Sequence, residues 1–135
     1  MSKPYIHARS SAKKFGGQWE DYMEIHELMD SSKSVIADNR HRVLTHNSWF
    51  ISHILPKIFG ETFKRKSDNR LVSTRDIAEQ HILEDYRMKF IPTPQDFVEH
   101  MDYAPWMQNG LGIPSSSKRL KFKSLKKREK VLNLD

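Results

Sequence analysis

The sequence predicts a mainly α-helical single domain with a small β-hairpin and a disordered basic C-terminal tail. Three observations predict it. Apolar residues recur at helical spacing through 18–32, 34–60 and 73–88. A turn-forming triplet separates two short, loosely alternating runs in 61–73. From Ser115 the composition changes abruptly to SSSKRLKFKSLKKREKVLNLD. With 135 residues and 37% hydrophobic content, the chain has material for one modest core. The expected organisation is a basic N-terminal arm over 1–17, a helical domain over 18–114 and a basic tail over 115–135.

The arm, MSKPYIHARSSAKKFGG, has no clear period and closes on Gly16-Gly17, a hinge. It holds 4 basic and no acidic side chains, whereas 118–135 holds 8 basic and 2 acidic. The stretch between them holds 11 basic and 15 acidic residues, so a mildly acidic body carries two basic ends. Arg9, Ser10, Ser11 and Lys13 concentrate hydroxyls and cations, the donors that a phosphate site uses. There is no cysteine, which excludes disulfides, thiolate nucleophiles and Cys-ligated zinc. Neither a signal peptide nor a spanning segment can be read, so a cytoplasmic protein without a membrane partner is expected.

From Gln18 to Ser32 the pattern QWEDYMEIHELMDSS is helical, with acids in its first turn and Tyr22, Ile25 and Met29 as its inward stripe. His26, Asp30 and Lys33 follow at i, i+4 and i+7 beside that stripe. Ser34 to Gly60 reads as one long amphipathic helix, kinked or ended near Pro56. Ala37, Leu44, Ile51, Leu55 and Ile58 form its stripe, with Arg40 and Asn47 inside it and His41 on its border. Polar groups at such positions need partners from other elements, so this helix is expected to wall a polar pocket. His46 and His53 fall on the opposite face.

Ser67-Asp68-Asn69 is the turn of the hairpin. Ser73-Thr74 with Asp76 then opens a helix in capping-box style. Its line Ile77, His81, Glu84, Met88 puts an imidazole and a carboxylate between apolar anchors, with Asp85 off the line. Thr93-Pro94-Gln95-Asp96 is a further helix start, offering Phe97 and Val98 to the core.

The runs HARSSAKKFGG, EDYMEIHELMDSSK, DNRHRVLTH, STRDIAEQHILEDY and IPTPQDF together resemble a small uncharacterised domain of bacterial and phage genomes, over about residues 7–98. The resemblance implies a complete single domain, phage-borne in that setting, and brings no mechanism with it.

The chemistry therefore rests on side chains. Imidazoles and carboxylates converging from three helices suit Zn²⁺, Mn²⁺, Fe²⁺ or Mg²⁺, with His26, Asp30 and His41 as expected metal ligands. His81 and Glu84 are the expected catalytic pair, and Arg9, Ser10, Ser11, Lys13, Lys33 and Arg40 the expected phosphate contacts. The arrangement loosely resembles the helical HD phosphohydrolases but lacks their adjacent His-Asp dipeptide. The expected function is binding of a nucleotide or nucleic acid, with metal-dependent phosphohydrolase or nuclease activity as its enzymatic form. Two alternatives stay open: a non-catalytic nucleotide- or nucleic-acid-binding protein, and a phage protein acting through a protein partner.

Overall fold

The computed structural model describes residues 3–114, so the basic tail expected from Ser115 lies outside the described residues. Through His100 the chain is one compact unit, mainly α-helical with one two-stranded antiparallel hairpin.

Helix α1 (Pro4–Phe15) opens with Pro at its first turn, where a missing N–H costs nothing, and ends in Lys13 and Lys14. This segment was expected to be an arm, and its lack of a full apolar stripe is why. The helix instead buries a short face of His7, Ala8 and Ser11 against the body. Gly16 (φ 96°) stops it, and a Cβ there would stand 2.6 Å from Arg65 Nη1. A 3₁₀ turn (Trp19–Tyr22) follows, its start fixed by Gln18 N–H donating to Asp21 Oδ2 at 2.8 Å. It runs into α2 (Met23–Asp30), which buries Ile25, His26, Met29 and Asp30, and then into a second 3₁₀ turn (Ser31–Ser34).

The single long helix expected over 34–60 is broken. Asp38 caps a 3₁₀ turn (Asn39–His41) through Arg40 N–H, and α3 (Arg42–Thr45) ends at His46. Asn47 Oδ1 then accepts from Phe50 N–H at 2.9 Å, and Asn47 Nδ2 donates to the Val43 carbonyl at 2.9 Å. Asp and Asn side chains thus outcompete the helix ladder at both breaks, and each break resets the helical phase. The stripe drawn across them therefore does not exist: Leu44 is exposed, and Arg40 points to solvent in a 2.7 Å ion pair with Asp38. The second half resumes through a π-helical stretch (Phe50–Ile54) into α4 (Leu55–Phe59). Pro56 cannot donate to Ser52 and would clash with its carbonyl, and the wider π turn accommodates it.

Strands β1 (Thr62–Lys64) and β2 (Leu71–Ser73) pair with Phe63 opposite Val72. Arg65 clasps the hairpin to the end of α1, donating to Asp68 and, at 2.5 Å, to the Phe15 carbonyl. Asp21 reaches the same turn, accepting from Ser67 Oγ at 2.6 Å. Helix α5 (Thr74–Asp85) is capped by Ser73, and α6 (Pro94–Val98) by a reciprocal Thr93–Asp96 box. Phe97 is half-buried, whereas Val98 is exposed. Residues from Met101 form a second unit, whose described part contains α7 (Trp106–Asn109), ended by left-handed Gly110.

The core of the first unit is built from Ala8, Tyr22, Ile25, Met29, Phe50, Ile51, Leu55, Val72, Ile77, Ala78 and Ile82. Beside it lie five histidines, His7, His26, His41, His46 and His81, each at most 1% exposed. No helix among the described residues is long and apolar enough to cross a membrane.

Candidate metal centre

Two helices carry the same device. HELMD in α2 and HILED in α5 each place a histidine and an aspartate one turn apart on a single face. The break after α3 adds His46 from a third direction. Asp30, His46, His81 and Asp85 come together as a buried group whose donor atoms all lie within 4.8 Å of one another, and these four could hold a metal ion.

The separations suit that role. His46 Nε2 is 2.8 Å from Asp85 Oδ2 and 3.8 Å from Asp30 Oδ1, and His81 Nε2 is 3.3 Å from each of these oxygens. Tetrahedral zinc with bonds of about 2.0–2.1 Å sets neighbouring donors about 3.3 Å apart. The contacts of His81 are not hydrogen bonds: its Nε2 is buried without a hydrogen-bond partner.

Each imidazole has a hydrogen-bonding partner on its outer side. Thr45 Oγ1 lies 2.6 Å from the Met29 carbonyl and 2.8 Å from His46 Nδ1, so a metal at His46 Nε2 would need the ring proton on Nδ1, donated to that hydroxyl. Without a metal, His46 Nε2 stands at hydrogen-bond distance from Asp85 Oδ2. His81 Nδ1 lies 2.8 Å from His26 Nδ1, and His26 Nε2 lies 2.7 Å from Ser11 Oγ. A metal at His81 Nε2 would need His26 to donate to Ser11 and accept from His81, a direction these contacts allow.

Burial, together with His81, outweighs Asp85 and pushes His46 down to about 4. Burial, with His81 and His7, pushes His26 down to about 2. Both rings are neutral at pH 7. Burial would raise Asp85, but the adjoining His46, His7 and His81 imidazoles hold it far below the usual carboxylate range. Asp30 is likewise lowered against burial, by His81, Lys33 and His46. His7 differs. Burial disfavours its charge, yet Asp85 and Glu84 raise it to about 9. It bridges Glu84 Oε1 at 2.8 Å and Asp85 Oδ1 at 3.2 Å while stacking on His81, ring centroids 3.7 Å apart.

A family model described as a domain of unknown function, DUF6915, matches residues 2–107. The chain belongs to that family. No curated protein and no solved structure matches it. The family span runs from before α1 into α7 of this DUF6915 domain, beyond the stretch that carried the resemblance.

The residues expected from sequence are distributed as follows. Asp30 and His81 belong to the four-donor group, His81 as a donor of the group. His26, expected as a ligand, stands behind His81. His41, also expected as a ligand, instead bonds Ser32 Oγ at 2.8 Å through Nδ1, and its Nε2 is buried and unpartnered. Glu84 accepts from Ser10 Oγ and Gln80 and pairs with His7. Ser11 is taken by His26, so neither serine is free for a phosphate. Arg9 and Lys13 are exposed on α1, and Arg40 is paired with Asp38 at the surface. Lys33 alone of the expected cations reaches the group, 3.7 Å from Asp30 Oδ2. His46, Asp85 and His7 were missed. The repeated His-x-x-x-Asp spacing was the available signal for Asp85, while His46 was hidden by the helix break that positions it.

Proposed function

We propose that this DUF6915 domain is a divalent-metal protein centred on Asp30, His46, His81 and Asp85, and that the metal serves hydrolysis of a phosphorylated small molecule such as a nucleotide. One observation carries the reading. Donor atoms of Asp30, His46, His81 and Asp85, brought from three different elements, lie within 4.8 Å of one another, and His81 Nε2 among them is buried without a hydrogen-bond partner. A cation among them would give that nitrogen and the inward carboxylate oxygens a common partner. Two imidazoles and two carboxylates suit Zn²⁺, Mn²⁺ or Fe²⁺. Such an ion activates water at neutral pH and polarises a phosphoryl oxygen.

A second reading is favoured by the burial itself. Four protein donors make a closed set, the pattern of structural zinc, in which the ion fixes α2, α3 and α5 to one another. Support for a nucleic-acid partner is confined to basic composition, since Arg9 and Lys13 lie on the exposed face of α1, apart from the four donors.

Elemental analysis of protein purified without chelators tests the centre, alongside His46→Ala and Asp85→Asn. About one equivalent of transition metal is expected in the wild type and little in either variant. A wild-type protein that neither carries nor takes up Zn²⁺, Mn²⁺ or Fe²⁺ overturns the proposal. With metal present, a screen of phosphate monoesters and nucleotides separates the two roles. Metal-dependent turnover supports the hydrolase, and stoichiometric metal without turnover leaves the structural role.

A further inference from the structure

Arg42 opens α3 and is nine-tenths buried. Its Nε is enclosed without a hydrogen-bond partner, and the guanidinium lies over the Tyr86 ring, 5.0 Å from the centroid. Its Nη2 stops 3.9 Å from Asp85 Oδ1, beyond hydrogen-bond reach. Lys33 stands in the same relation to the other aspartate of the group. Its Nζ is 3.7 Å from Asp30 Oδ2, an oxygen that is also buried and unpartnered. Each aspartate therefore turns one oxygen toward the other donors and the other toward a Lys or Arg that does not close on it, Asp85 Oδ1 also lying 3.2 Å from His7 Nε2.

Ion pairs elsewhere in the chain do close: Arg40–Asp38 at 2.7 Å and Arg65–Asp68 at 2.6 Å. Among the described residues, the Lys and Arg pairs that stay open are the two at the candidate metal centre. They come from neighbouring elements, because α3 packs against both α2 and the Ser31–Ser34 turn. Unused donors on a buried guanidinium are costly unless an acceptor is supplied, and the planar fork matches phosphate oxygens. Charge points the same way. Asp30 and Asp85 already face Lys33 and Arg42, and His7 pairs with Glu84, so a divalent ion adds two positive charges that an incoming dianion would balance.

We infer that Lys33 and Arg42, with the bound metal, form a subsite for a tetrahedral oxyanion, the phosphate group of a phosphate monoester. This inference rests on the metal-centre reading. Arg42 then anchors the phosphate from within, and Lys33, 30% exposed along its side chain, meets it from the solvent side.

Inorganic phosphate is the probe. Metal content is measured first, on protein loaded with one equivalent of Mn²⁺, for the wild type, Arg42→Gln, Lys33→Gln and, as the metal-free control, His46→Ala. Phosphate is then titrated and followed by ³¹P line broadening and calorimetry, with helical content checked by circular dichroism. The wild type is expected to broaden the resonance saturably. Arg42→Gln and Lys33→Gln should keep one equivalent of Mn²⁺ while weakening phosphate binding at least about tenfold, the loss of a charge-assisted contact. Wild-type phosphate affinity in both variants, or no phosphate binding by loaded wild type, overturns the subsite and leaves the metal centre standing. Failure of the wild type to take up Mn²⁺, Zn²⁺ or Fe²⁺ overturns the centre and the subsite with it. If Arg42→Gln does not fold, the half-exposed Lys33→Gln decides alone.

Discussion

At the scale of single residues, the arrangement around His81 assigns a role to His26, which touches none of the carboxylates as a hydrogen-bonding partner. A ring between Ser11 Oγ and His81 Nδ1 can pass a donor in either direction, and only one direction leaves the His81 lone pair facing Asp30 and Asp85. For a metal held by His81 Nε2, His26 would therefore be a positioning residue. Replacing it with Gln retains hydrogen-bonding capacity but removes the fixed ring. Metal affinity is expected to fall about 10–100-fold, the range for loss of an outer-sphere partner of a ligating histidine. The stability of the metal-free protein should change far less. Competition with a chromogenic chelator measures the first quantity, and thermal unfolding in EDTA measures the second. Equal metal affinity in His26→Gln and wild type would reduce His26 to packing.

At the scale of elements, what could be read from the sequence depended on whether a signal was local. The caps of α5 and α6 and the hairpin turn are set by neighbours within a few residues, and they were legible. Helix α1 was not, because three inward residues, His7, Ala8 and Ser11, are too few and too polar to make a stripe. The segment after Ser34 misled for a different reason. Apolar periodicity ran through it without interruption, and the interruption is made by two side chains whose competing hydrogen bonds periodicity does not count. Asn47 holds the second break. Its removal is predicted to destabilise the domain by about 1–2 kcal/mol, the cost of a lost N-cap. Asn47→Ala should lower the urea midpoint without altering the slope, and Asn47→Asp, which restores the acceptor for Phe50 N–H, should recover most of the loss. A silent Asn47→Ala would mean that the break is held by something other than this cap.

At the scale of the whole molecule, the domain puts polar groups where a small protein can least spare apolar ones. Five buried histidines and two inward aspartates share the interior with a core of eleven residues. Without a bound cation the two aspartates repel each other and His81 Nε2 between them lacks a hydrogen-bond partner, so the metal-free state carries a penalty at its centre. An ion that binds only the folded chain removes the penalty and adds its own binding energy, about 4 kcal/mol at a free concentration one thousand times Kd. For a domain of this size, that corresponds to a rise in Tm on the order of 10–20 °C. Addition of EDTA to metal-loaded protein is thus predicted to lower Tm by this amount, and excess Zn²⁺ or Mn²⁺ to restore it. His46→Ala and Asp85→Asn should be indifferent to both additions, since each removes a donor. A wild type as indifferent as its variants would mean that the interior is stable as a purely hydrogen-bonded network. The imidazoles and aspartates would then be held by protons shared between them, and pH rather than chelator would shift Tm. The two outcomes need only a melting curve and a buffer series to tell apart, because chelation acts on an ion while protonation acts on the ring itself.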